Sequence, residues 1–285
     1  MIPAAFDYVR PSTVDEAVQA LAAAGEDGKV IAGGQSLLPV LRKRLSYTST
    51  LVDIGRIADL RGDSDDGNAI VIGAMTTHNE VIHDPIVQQH APLIAQAAAT
   101  VGDRQVRHLG TFGGSLSHAD PAGDLPAVAL ALDAQLVVRG TGGERTVAAS
   151  DFFVDYLTTA LAPDEILTAV RIPKLGSGWS THYEKFNRVA QAWAIVGVAA
   201  AVRRQNGAIA EARVGLTNMG ATPLRAAAVE QALAGADASV DAVRTASGHA
   251  AEGAHAPSDL GGQADYRNHL ATVLTRRAVC AAAGI

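Results

Sequence analysis

Two glycine-pair segments constrain this chain more than any other feature: AGGQSLLP at 32–39 and TFGGSLSHADPAGDLPA at 111–127. Each sets adjacent glycines before hydroxyl or amide residues, and each lies between apolar stretches that read as core. Successive backbone N–H groups in such segments can converge on an anion. The missing Cβ atoms let the chain come close to a pyrophosphate. A single glycine pair is more often only a tight turn, whereas two in one chain suit the two halves of a dinucleotide. Neither fits the GxGxxG fingerprint that opens a helix in a Rossmann unit, so NAD binding of that kind is not expected.

Charge and composition narrow the chemistry further. The net charge of −6 supplies no positive field for a phosphate and argues against a nucleic-acid partner, so any anion site must be built locally from backbone donors. With aromatics at only 4%, few stacking platforms are available. The single cysteine, Cys280, excludes a disulfide framework and any all-cysteine iron–sulfur or zinc site within this chain, so metal redox centres, if present, belong to partners. No apolar run approaches the length of a membrane span, and MIPAAFDYVRPSTVDEA lacks a basic region followed by an apolar one. A cytoplasmic protein is expected, with peripheral association at the inner face of the membrane also compatible. His118, Asp120 and Asp124 lie close together, but the intervening DP and glycines fit a backbone turn better than a metal site. His78, His83 and His90 are expected on exposed helix surfaces.

A hydrophobic content of 48% over 285 residues supports two domains. Ser12 and Thr13 precede VDEAVQALAAAG, whose Val14, Ala17, Val18 and Leu21 share a helical face, with Glu16 placed as in a capping box. KVIAGG and LVDIG read as strands, and SLLPVLRKRL lies between them. AIVIGAM is a strand, and the helical stretch from Thr77 to Gly102 is divided by Pro85 and Pro92. The second glycine segment reads as an irregular loop. QLVV is a strand before a TGGE turn, DFFVDY a helix, and EILTAVRIP a strand ended by Pro173. The domain boundary falls near residue 176, in LGSGWS. Beyond it, WAIVGVAAAVRR and ARVGLTNM with two helices, from near Leu224 and over ADYRNHLATVLTRRAVCAAA, indicate an antiparallel sheet with helices.

KVIAGGQSLLP, VRHLGTFGGSLSHADPAGDLPA, YEKF and DYRNHLATVLTRRA, in this order over nearly the whole chain, resemble the flavoprotein (medium) subunits of the molybdenum hydroxylase family, which includes the xanthine and carbon monoxide dehydrogenases. The second segment, a glycine pair followed by DP and a downstream Asp, is the most specific of these signals. The resemblance implies an α+β fold: a vanillyl-alcohol-oxidase-like (PCMH-type) FAD-binding domain over 1–176, with subdomains of about 1–55 and 56–176, and a C-terminal domain over 177–285. It implies FAD held by Ala32, Gly33, Gly34, Gln35 and Ser36 from the first segment, and by Thr111, Gly114, Ser115 and Asp124 from the second. A carboxylate about 4 Å from a phosphate would cost about 4 kcal/mol at an effective dielectric of about 20. Asp124 is therefore expected to face ribose or ribitol hydroxyls, or else to cap the helix starting at Leu125. Lys185 in YEKF matches a family lysine near the isoalloxazine edge, the alternative being a surface lysine. Leu167 matches a position packing by the flavin, the alternative being ordinary core. Trp193 either stacks on the ring or is core, and Ala192 stands where the family commonly has an acidic or small polar residue.

The function so implied is electron transfer: FAD in this chain, with molybdopterin and iron–sulfur clusters in partner subunits. An iron–sulfur small subunit, a molybdopterin large subunit, pairing into a dimer of heterotrimers, and an external acceptor such as a quinone complete the expected arrangement. Carbon monoxide is the leading substrate of the complex, with N-heteroaromatic compounds and aldehydes as alternatives. Two rivals of other classes are a free-standing flavin oxidoreductase, for which no acid/base residue stands out, and a structural subunit that has lost the flavin.

Overall fold

The computed structural model describes residues 2–285. The chain opens with strand β1 (Asp7–Val9), helix α1 (Val14–Ala24), β2 (Gly28–Ile31), α2 (Leu37–Arg42) and β3 (Thr50–Asp53), whose strands form a parallel sheet in the order β1-β3-β2. Helix α1 forms for the reason its periodicity indicates: Ala17, Val18 and Leu21 are buried, in one cluster with Val52 and Ile54. Thr13 Oγ1 accepts from Glu16 N at 3.2 Å, but the return bond is shifted by one residue. The Glu16 carboxylate accepts from Ser12 N and Ser12 Oγ, each at 2.8 Å.

The next unit runs through β4 (Asp63–Asp65), β5 (Ala69–Gly73), α3 (His78–His83), α4 (Pro85–His90), α5 (Pro92–Ala99), α6 (Arg104–Leu109), α7 (Phe112–His118) and α8 (Asp124–Ala131). It continues with β6 (Gln135–Gly140), β7 (Gly143–Ala148), α9 (Ala149–Phe152), a hairpin of β8 (Phe153–Asp155) and β9 (Thr158–Thr159), and β10 (Ile166–Pro173). Five strands make an antiparallel sheet in the order β4-β5-β10-β6-β7. Its inner face, with Ile70, Ile72, Leu136, Val138, Val170 and Ile172, packs under Leu93, Ile94, Phe112 and Leu125 of the helices. Pro85 and Pro92 open α4 and α5, where a missing N–H costs nothing.

Two local expectations change here. DFFVDY is helical only as far as Phe152, because Leu157 adopts a left-handed backbone (φ 53) that folds the rest into the β8–β9 hairpin. The second glycine segment is largely helical, not a loop. Thr111 caps α7 by accepting from Gly114 N at 3.1 Å, and Gly113 is there for packing, since a Cβ at that position would sit 2.5 Å from the Ala74 Cβ and 2.7 Å from its Cα.

The remainder is a four-stranded antiparallel sheet of β11 (Trp179–Phe186), β12 (Val196–Gln205), β13 (Ala208–Thr217) and β14 (Leu224–Arg225), with α10 (Ala227–Leu233), α11 (Val240–Ser247) and α12 (Ala264–Ala283). The register sets Tyr183 opposite Ala199 and Lys185 opposite Gly197. Leu224, expected to begin a helix, instead pairs with Leu216 as the edge strand, and the helix begins three residues later. The molecule is thus α+β, with an antiparallel sheet and helices closing the chain.

Arg267 on α12 is 1% exposed and ties three segments together. It donates to the Ile195 carbonyl and, at 2.6 Å, to the Asp259 carboxylate. Arg267→Met keeps the stem and strands the Ile195 carbonyl, so we expect a loss of about 2 kcal/mol in unfolding free energy by urea titration. A loss under about 0.5 kcal/mol would show that Arg267 is not an anchor.

Candidate functional site

A cavity of about 620 Å³, within the range of small-molecule sites, opens between the parallel sheet, α7, β10 and the β8–β9 hairpin. Ala32, Gly33, Gly34, Gln35 and Ser36 line it from the β2–α2 connection, Thr111, Gly114 and Ser115 from α7 and its cap, and Leu167 from β10. Nine of the twelve residues singled out from the sequence therefore meet on one wall system, although they come from three places in the chain.

The two glycine segments touch backbone to backbone. A Cβ on Gly33 would fall onto the Leu109 carbonyl and within 2.8 Å of the Gly110 Cα, so only glycine allows this crossing. The segments do not contribute alike. The second has spent its N–H groups: Phe112 N donates to Thr76 O at 2.9 Å, Gly113 N to Ala74 O at 2.9 Å and Ser115 N to Thr111 O at 3.0 Å. Among the described residues, the backbone N–H groups of Gly33, Gly34, Gln35 and Ser36 donate to no protein acceptor. Four successive free donors on a cavity wall fit a pyrophosphate in a chain with no positive field to offer. The second segment adds hydroxyls, since the Ser115 and Ser117 side chains face the cavity without a protein partner among the described residues.

Asp124, Lys185 and Trp193 are not on the cavity wall. Asp124, 4% exposed, accepts from Tyr183 Oη at 2.7 Å and Lys185 Nζ at 2.8 Å, and Lys185 also donates to the Thr100 carbonyl at 3.1 Å. The expectation that Asp124 faces sugar hydroxyls or caps a helix gives way to a buried ion pair. Asp124 is itself the first residue of α8, and no side-chain bond caps that helix. Burial pushes its carboxyl up, with Lys185 and Tyr183 pulling back down, while burial and the Asp124 charge hold the Tyr183 phenol well above its ordinary range. This pair joins α8 to β11 across the two units, and its partner on β11 only becomes a neighbour through folding. Trp193 is 53% exposed, so it is not core; its ring lies 6.4 Å from that of His118, tilted by 42°.

His118 itself lines the cavity. Its signal was present in the sequence: Thr111, Gly114, Ser115 and His118 follow the i, i+3, i+4, i+7 spacing of one helical face, legible once the segment is read as a helix. Lys29, Leu157, Leu161 and Glu165 are further wall residues that sequence reasoning did not single out. His78, expected at the surface, is 4% exposed behind Gly110, its Nδ1 has no partner among the described residues, and burial together with the nearby Arg107 lowers its pKa to about 4. Helix α3 turns this face inward under α6.

The fold and the cavity define a dinucleotide-binding flavoprotein unit, and comparison with known proteins gives its family. Residues 4–175 match the FAD binding domain in molybdopterin dehydrogenase, and residues 181–282 match the CO dehydrogenase flavoprotein C-terminal domain. The chain belongs to this family of FAD-binding oxidoreductase subunits. It is 39% identical over 282 residues to the carbon monoxide dehydrogenase medium chain of Hydrogenophaga pseudoflava, covering 99% of this chain and 98% of the relative. It is 35% identical to the nicotine 6-hydroxylase medium subunit of Paenarthrobacter nicotinovorans, with 96% of each covered. The solved carbon monoxide dehydrogenase of H. pseudoflava superposes with a TM-score of 0.97 at 41% identity, over 99% of this chain and 98% of that one. Among the described residues no helix is long and apolar enough to cross a membrane.

Lys185→Met leaves the Asp124 charge buried and unpaired. We expect a loss of about 3–5 kcal/mol in unfolding free energy, recovered in large part by the double variant Lys185→Met/Asp124→Asn. Equal stability of the single variant and the parent would show that the pair contributes nothing.

Proposed function

We propose that this chain holds one FAD in the cavity and carries electrons for a molybdenum hydroxylase, taking them from a partner's iron–sulfur clusters and passing them to an external acceptor such as a quinone. The observation that carries the reading is the row of free N–H groups from Gly33 to Ser36, set against the hydroxyl-bearing face of α7 in a chain whose full length matches flavoprotein subunits. Ala32 to Ser36 would hold the pyrophosphate, Thr111, Gly114 and Ser115 its flank, and Leu167 the apolar side of the ring. When bound, FAD supplies reversible two-electron chemistry. The protein's own residues bind it, orient it and exclude water. Asp124 and Lys185 act behind the wall, fixing β11 against α8. Trp193 covers the rim.

The boundaries we assign are 1–176 for the FAD domain, divided near 55, and 177–285 for the C-terminal domain. Partners would be an iron–sulfur small subunit and a molybdopterin large subunit, assembled as a dimer of heterotrimers. Carbon monoxide is the favoured substrate of the complex, supported by full-length identity of 39% to two carbon monoxide dehydrogenase medium chains. A medium subunit of a nicotine-type hydroxylase is the second reading, supported by the 35% identity to that relative.

Purified protein is expected to show a bound-flavin absorption spectrum and to release FAD on denaturation, with molybdenum and iron present only when partners co-purify. Gly33→Ala forces the two segments apart and should weaken FAD binding at least tenfold, measured by flavin fluorescence titration, while far-ultraviolet circular dichroism stays unchanged. Parent protein that never binds FAD would end this reading and leave a structural subunit.

A further inference from the structure

Helix α7 lines the cavity and packs against β9 and β10. At its N-terminal end the helix meets the Gly33 crossing, where the free N–H donors lie. Seven residues later, about 10 Å on at the rise of an α-helix, His118 reaches the same cavity. Leu157 of the β8–β9 hairpin, Leu161 just after it and Leu167 of β10 are apolar residues of the same wall. With a pyrophosphate at the donors of 33–36, the flat isoalloxazine would extend along α7 toward His118. This rests on the FAD reading given above.

His118 is held in place from both sides. Ala119 ends α7 in a left-handed conformation (φ 51), a strained state for a residue with a Cβ, and redirects the chain straight after the imidazole. The turn that follows is fastened: Asp120 Oδ1 accepts from Ala122 N at 2.9 Å, Asp120 O from Gly123 N at 2.8 Å, and Pro121 O from Asn218 N at 2.8 Å. Asp120 Oδ2 lies 3.8 Å from His118 Nε2, and the Trp193 ring lies 6.4 Å from the imidazole. The cavity wall carries only two other ionisable side chains among the described residues, Lys29 and Glu165. The Glu165 carboxylate is already engaged by Arg145 at 2.7 Å.

We propose that His118, positioned by Asp120 and Trp193, is the residue that couples the flavin's reduction potential to pH. Burial disfavours the charged imidazole, partly offset by the Asp120 carboxylate. Two electrons arriving from the iron–sulfur partner bring negative charge to the ring, which raises the affinity of His118 for a proton. One proton from water joins the imidazole on reduction and returns to water on reoxidation, and no bond to the flavin is made. Between the imidazole's two ionisation points the potential falls more steeply as pH rises. Outside that window the extra dependence vanishes. His118 is a positioning and charge-compensating group here, and Asp120 sets where the window lies.

The test is the midpoint potential of the bound flavin in the assembled holoenzyme from pH 5 to 9, read by its absorption, for the parent, His118→Gln and Asp120→Asn. The flavin's own pH dependence is common to all three and cancels in the differences. We expect the parent-minus-His118→Gln difference to grow as pH falls through the window, and Asp120→Asn to move that window to lower pH. Parallel curves for His118→Gln, or for Asp120→Asn if His118→Gln fails to retain FAD, would overturn the proposal. Failure of the parent to bind FAD would overturn the functional reading instead, so the two outcomes are distinct.

Discussion

The crossing of Gly33 over Leu109 and Gly110 is the contact on which the rest of the site depends. Two backbones meet with no side chain between them, which only glycine permits. The crossing joins the parallel sheet to the helices of the second unit, and residues 33–36 line the cavity with backbone N–H groups that donate to no protein acceptor among the described residues. A chain of net charge −6 offers no broad positive field for a diphosphate, which makes these local donors matter.

The second constraint is the Asp124–Lys185 pair, with Tyr183 as its third member. Burying both charges is costly, and the geometry offsets that cost by giving each carboxylate oxygen a donor. The pair fixes β11 on α8. Within YEKF, Tyr183 and Lys185 thus meet Asp124 of α8 and do not line the cavity. The resemblance put Lys185 near the isoalloxazine edge; in the structure its immediate partner is the Asp124 carboxylate of this chain.

Helix α7 connects these two constraints. Its first turn is satisfied internally by Thr111 and by the carbonyls of Ala74 and Thr76, which makes it rigid. Its exposed face then offers Gly114, Ser115, Ser117 and His118 to the cavity in helical order. Glycines in a helix are usually destabilising by about 0.5–1 kcal/mol relative to alanine. Here Gly113 is required because Ala74 occupies the space a Cβ would need.

By itself the sequence determined the fold class, the paired glycine segments, nine residues of the cavity wall and the breaks at Pro85 and Pro92. The glycine segments and the proline breaks depend on local chemistry, missing Cβ atoms and fixed proline φ, whereas the fold class and the nine wall residues followed from the resemblance to a known family. Tertiary structure alone decided the rest. It turned the second segment into a helix, because caps and packing outweigh glycine's local preference. It drew His78 inward and closed Asp124 onto Lys185, 61 residues away. Such pairings depend on which elements pack together, and spacing along the chain carries no record of that.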